Sequence, residues 1–161
     1  MARRVFFSFH YERDIWRANV VRNSWMTHSN REAAGFWDAS LWERTKLRGK
    51  RAIRQMIDVA LYKTSVTVVL IGAETYLREY VQYEISQSYS RGKGLLWIRV
   101  HNIADRRQEI DWEGENPLAM LCDTRTGDSL SDIFPTYDWF GDDGYYNIGD
   151  WVEEAARAAG R

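Results

Sequence analysis

The stretch that most constrains this chain is Val66-Thr67-Val68-Val69-Leu70-Ile71. A strand with one wet face would alternate apolar and polar residues. A nearly unbroken apolar run instead suits a central parallel strand buried on both faces. Strand-like and helix-like segments alternate around it. Val5 to Phe9 and Ala33 to Asp38 read as short strands, and Leu95 to Val100 as a fourth. Ile133 to Phe140 reads as a fifth, which Pro135 consigns to an edge. Between them, Asp14 to Trp25 carries Ile15, Ala18, Val21 and Trp25 at helical spacing, and Gly49 to Lys63 places Ile53, Met56, Ile57, Ala60 and Leu61 on one stripe. Thr75 to Arg91 is a third helix, ended by Gly92-Lys93-Gly94. Ile148, Trp151, Val152, Ala155, Ala156 and Ala159 mark an amphipathic C-terminal helix. Residues 102–131 are polar and irregular, with one helical turn expected at Leu118 to Leu121. Such alternation implies right-handed βαβ units. The expected fold is α/β and flavodoxin-like, a five-stranded parallel sheet flanked by helices on both faces.

A length of 161 residues fits a single domain over 1–161, and a 45% hydrophobic fraction supplies a core. The net charge of -1 gives no footing for nucleic acid or an anionic membrane. No apolar run approaches the ~20 residues that span a bilayer. The basic start is followed only by Val5-Phe6-Phe7, too short for a secretory core. One cysteine, Cys122, cannot make an internal disulfide. The expected location is therefore cytoplasmic. Eight tryptophans are many for this length; core packing explains each more simply than ligand stacking.

In doubly wound folds, ligands bind beyond the carboxyl ends of the strands, near the switch between the first and third. Ser8, Phe9 and His10 leave the first strand; Asp38, Ser40 and Trp42 leave the second; Gly72-Ala73-Glu74 leaves the third. The following helix holds Glu84. At ~100° per residue, Leu77, Val81 and Ser88 fall within about 60° of it on one side and Tyr80 within about 40° on the other. Glu84 therefore points inward, where a carboxylate costs several kcal/mol unless paired. A structural pairing and a functional role explain it equally; its place after the central strand favours function. His10 also fits ordinary hydrogen bonding at a strand end, and Asp38 and Ser40 fit a cap on the next turn. Asp138, Asp142 and Asp143 form a solvated turn better than a cation site, so no metal is expected. No phosphate loop, dinucleotide glycine fingerprint or zinc spacing occurs. A phosphoacceptor receiver is also excluded, because His10-Tyr11 and Gly72-Ala73 stand where its acidic residues belong.

Several blocks in order resemble the TIR-like proteins of Thoeris anti-phage systems. They are Val5-Phe6-Phe7-Ser8-Phe9-His10-Tyr11 with Arg17 to Trp25, then Phe36-Trp37-Asp38-Ala39-Ser40-Leu41-Trp42-Glu43, then Thr64 to Gly72 with Tyr83-Glu84-Ile85, and finally Tyr137 to Tyr145. The resemblance covers nearly the whole chain apart from about 103–131. It implies a TIR fold, NAD as substrate rather than cofactor, and Glu84 as the catalytic glutamate. It also implies a cyclic ADP-ribose or related conjugate as product, sensed by a separately encoded effector, with homo-oligomer formation on activation. Ser8, Phe9, His10, Asp38, Ser40, Trp42, Tyr80 and Tyr83 are the expected substrate-binding residues. Val81 stands where the familiar pattern has tryptophan, three residues before the glutamate; Tyr80 and Tyr83 are the available aromatic substitutes. The other reading is a non-catalytic TIR adaptor that works by homotypic assembly.

Overall fold

A computed structural model describes residues 3–119 and 121–161. Its sheet is all parallel, with strand order β2-β1-β3-β4-β5. The strands are β1 (Arg3–Ser8), β2 (Arg31–Ala34), β3 (Val66–Ile71), β4 (Gly94–Arg99) and β5 (Thr136–Asp138). The helices are α1 (Tyr11–Trp25), α2 (Ala39–Leu47), α3 (Lys50–Leu61), α4 (Glu79–Ser90), α5 (Leu130–Ile133) and α6 (Gly144–Ala158). The reversal of strand order falls between β1 and β3, where Ser8 lies opposite Val69.

Alternation along the strands assigns side chains to the two faces. Val5, Phe7, Val66, Val68 and Leu70 join α1 and α6 through Ala18, Val21, Trp25, Trp151 and Val152. On the other face Phe6 meets Trp42, Ile53 and Ile57 of α2 and α3, while Val69 and Ile71 meet Val81 and Ile85 of α4. All six residues of β3 are buried, as an unbroken apolar run requires. None of the helices among the described residues is long and apolar enough to cross a membrane.

Four elements differ from the sequence expectation. The second strand ends at Ala34, because Gly35 turns the chain at φ 91°. The Asp38–Glu43 stretch, for which no helix is expected from the sequence, opens helix α2. It buries only Trp42 and Thr45, too few for a visible stripe. The expected helix from Thr75 to Arg91 is broken: a 3₁₀ turn at Thr75–Leu77 gives way to extended Arg78 before α4 begins. Leu77 consequently points to solvent at 63% exposure. The fifth strand is short, and it does lie at the edge. The turn expected at 118–121 includes residue 120, which lies outside the described residues; Leu121 N–H reaches the Leu118 carbonyl at 3.1 Å.

The polar segment after β4 is tied to α1. Arg17 Nε donates to the Ile103 carbonyl at 2.7 Å and its Nη2 to that of Glu109 at 3.1 Å. Arg13 forms a two-pronged pair with Asp111 at 2.8 and 3.0 Å and lies over the Trp112 ring. Arg99 Nη1 holds the Gly114 carbonyl at 2.8 Å. Irregular sequence is here fixed by arginines reaching backbone oxygens, a pairing that leaves no periodicity.

Candidate active site

Helix α4 presents Val81, Glu84, Ile85 and Ser88 to the sheet. Ser88 Oγ donates to the Glu84 carbonyl at 2.7 Å and shares a 2.7 Å hydrogen bond with Thr67 of β3, which sets the rotation of the helix. Glu84 is 5% exposed. Its carboxylate accepts a hydrogen bond from Ser8 Oγ, the last residue of β1. Burial pushes the Glu84 carboxyl up to about 8, and the Ser8 bond works against that rise. No cationic side chain bonds to it among the described residues, so the carboxyl is held as a neutral acid near neutral pH. A cation placed beside it would draw out the carboxylate.

A cleft over the carboxyl ends of β1 and β2 leads to Glu84. Phe9, Tyr11, Trp37, Trp42, Arg78 and Tyr80 are among its walls. The aromatic rings interlock: Trp37 stacks on Trp42 at 5.6 Å, Tyr11 lies 5.1 Å from Trp42, and Tyr80 meets Trp42 edge-on at 6.3 Å. Tyr11 OH donates to the Trp37 carbonyl at 2.6 Å. Gly35 makes this possible, since a Cβ there would sit 2.3 Å from the Phe7 carbonyl oxygen. The cavity left among these side chains is about 20 Å³, room for roughly one water molecule.

The structure brings Glu84, Ser8, Phe9, Trp42 and Tyr80 together at this cleft. It does not bring the other expected residues to the lining. Asp38 caps α2, accepting from Leu41 N–H at 2.8 Å and Ser40 Oγ at 2.6 Å, and both side chains face solvent. His10 caps α1, its Nδ1 accepting Arg13 N–H at 3.2 Å. Burial, then the nearby Arg78 charge, lowers the His10 pKa. Tyr83 turns to α3, its hydroxyl donating to Asp58 at 3.0 Å. Asp138 and Asp142 spend their carboxylates on the backbone of their own turn, at 2.7–3.0 Å.

Tyr11, Trp37, Arg78 and Glu12 also belong to the cleft or its rim, and sequence reasoning did not select them. Tyr11 and Trp37 were legible as strand-end aromatics. Arg78 and Glu12 resemble ordinary charged residues at helix starts, so only the break in backbone at Arg78 reveals them.

A parallel 2-1-3-4-5 sheet with a buried glutamate on the helix after its central strand is the arrangement of a TIR-like domain. The family model for the Thoeris protein ThsB, TIR-like domain, matches residues 6–105, from within β1 to beyond β4. A protein of Bacillus cereus (strain MSX-D12), named "Putative cyclic ADP-D-ribose synthase ThsB1", is 36% identical over 94% of this chain and the whole of that relative. This chain belongs to the TIR-like family of Thoeris ThsB proteins.

Proposed function

We propose that this protein cleaves the nicotinamide–ribose bond of NAD and closes the remaining ADP-ribose into a cyclic signal for a separately encoded effector in anti-phage defence. The observation that carries the reading is Glu84, a buried carboxyl bonded, among the described residues, only to Ser8 at the base of an aromatic cleft. The relative's name as a cyclic ADP-D-ribose synthase supports it.

The chemistry follows from the charges. The nicotinamide ring of NAD is cationic, and its arrival favours ionisation of Glu84. The C–N bond breaks with its electron pair passing to the ring nitrogen, so nicotinamide leaves neutral and needs no acid. Positive charge develops on the ribose carbon, as in other oxocarbenium-like reactions. A fixed carboxylate in a site sheltered from water stabilises that charge. A hydroxyl of the same ADP-ribose then attacks and loses its proton, which gives a ring; water attacking instead gives linear ADP-ribose. A well-placed internal hydroxyl has an effective molarity of roughly 10⁵ M or more, which favours the ring when the walls exclude water. Aromatic rings such as Trp42 and Tyr80 are suited to stack on the nicotinamide or adenine.

The test is nicotinamide release from NAD by concentrated protein, with the nucleotide product identified by mass and NMR. The protein-free filtrate is then applied to a candidate effector. A cyclic product that activates the effector is expected. Linear ADP-ribose alone would reduce the protein to an NAD hydrolase, and no nicotinamide under any activating condition would favour the adaptor.

A further inference from the structure

We propose that Arg78 is the residue that grips the diphosphate of the dinucleotide, and that Glu12 occupies it in the closed cleft as an internal stand-in for phosphate. The inference rests on the NAD reading above. Arg78 stands on the extended break before α4 and lines the same cleft as Glu84. The six positions that separate them along α4 amount to about 9 Å of helix rise. A ribose at Glu84 would thus send its C5′ substituent, the diphosphate, toward the Arg78 side chain. A guanidinium binds carboxylate and phosphate with the same planar fork, so one can replace the other.

In the structure one nitrogen of that fork is taken. Arg78 Nη2 lies 3.2 Å from Glu12 Oε2. The other Glu12 oxygen accepts from Trp42 Nε1 at 3.2 Å and faces Lys46 Nζ at 3.4 Å. One carboxylate from the first turn of α1 thereby joins α2 and the start of α4 across the mouth. His10 Nδ1 is also near, 3.6 Å from Glu12, but it already accepts Arg13 N–H and holds no proton to share. Glu12 and Arg78 remain 40% and 33% exposed, so water screens their attraction and the pair can exchange. A diphosphate brings two charges where Glu12 brings one. Displacing Glu12 frees Trp42 and the α2 side of the mouth together. That release opens a cavity now sized for a single water.

The experiment measures NAD binding by calorimetry in a Glu84→Gln background, so that ligand is not consumed, and steady-state nicotinamide release in the otherwise wild-type protein. Glu12→Gln is expected to tighten NAD binding by up to about fivefold, the worth of an exposed ion pair. Arg78→Ala is expected to weaken it about tenfold or more, with Arg78→Lys between. Nicotinamide riboside, which has no phosphate, should bind equally to wild type and Arg78→Ala. Adding Glu12→Gln to Arg78→Ala should yield no further gain, because the two residues act on one another. If Arg78→Ala weakens riboside and NAD alike, or Glu12→Gln helps equally with Arg78 absent, the proposal is overturned while NAD cleavage stands. If the binding pattern appears but no nicotinamide is ever released, the phosphate grip stands and the enzymatic reading fails.

Discussion

Ser8 Oγ donates a hydrogen bond to the buried carboxylate of Glu84, joining the end of β1 to the middle of α4 at the switch in strand order. That bond favours the charged form of a group that burial drives toward neutrality, so Ser8 tunes the acid as well as placing it.

The first prediction concerns that tuning. The wild-type kcat/KM for NAD should rise with pH through a midpoint at the free-enzyme pKa of about 8 and level off above it. Ser8→Ala removes a bond to the ionised form, worth about 1.5–3 kcal/mol, and should move this rise about one to two pH units higher. The pH–rate profile decides it; a profile that keeps its midpoint while losing height would make Ser8 a packing residue only.

Glu84→Gln should fold and should stop nicotinamide release. Its stability should also respond differently to pH. In the wild type the folded protein holds a proton on Glu84 that the unfolded chain releases above about 4.5. Stability contributed by the neutral acid is complete below that pH and is lost as pH rises toward about 8. The loss is at most about 1.4 kcal/mol per pH unit. Melting temperatures at pH 5, 7 and 9 should show the Gln variant gaining on the wild type. Parallel curves would mean that Glu84 is ionised in the folded state throughout.

Asp38→Ala should lower the melting temperature, because α2 loses the oxygen that accepts Leu41 N–H. The KM for NAD should not change, since the side chain faces solvent beside Ser40. A raised KM with an unchanged melting temperature would return Asp38 to the substrate site.

Arg17→Ala should destabilise the protein by about 3–5 kcal/mol, the usual result of stripping a buried carboxylate of its cation. Asp14, 3.1 Å from Arg17 and fully buried, is the carboxylate left behind. Limited proteolysis should then cut within residues 103–111, which Arg17 and Arg13 hold by their carbonyls and Asp111. Intact protein after the same digestion would show that the Arg13–Asp111 pair suffices.

How much of this was legible depended on what each residue had to do. The six buried positions of β3 are visible because burial on both faces admits no polar side chain except Thr67, which bonds Ser88. Glu84 was legible for the converse reason: a charge on an apolar stripe conflicts with its surroundings. Helix α2 was hidden because two buried residues make no period. The end of β2 was hidden because Phe36 and Trp37 read as strand residues, whereas past Gly35 Phe36 packs on Phe7 and Phe9 and Trp37 lines the cleft. Arg78 and Glu12 carried no local signal, since their meeting depends on packing between segments 66 residues apart.

The strand pairing sets an order on synthesis. β1 takes its partners from β2 and β3, so Val5, Phe6 and Phe7 cannot be enclosed in mid-sheet until Val66 to Val68 have left the ribosome. At ~5–20 residues per second, the aromatic amino-terminal strand waits for seconds with an edge open to other chains. Nascent chains stalled after α3 should therefore be captured by a holdase chaperone, and chains stalled after β4 much less so. Equal capture at both lengths would mean that β1 finds shelter before its central partner arrives. The arrangement that puts Ser8 beside Glu84 in the finished molecule thus leaves its aromatic first strand the longest unprotected while the molecule is being made.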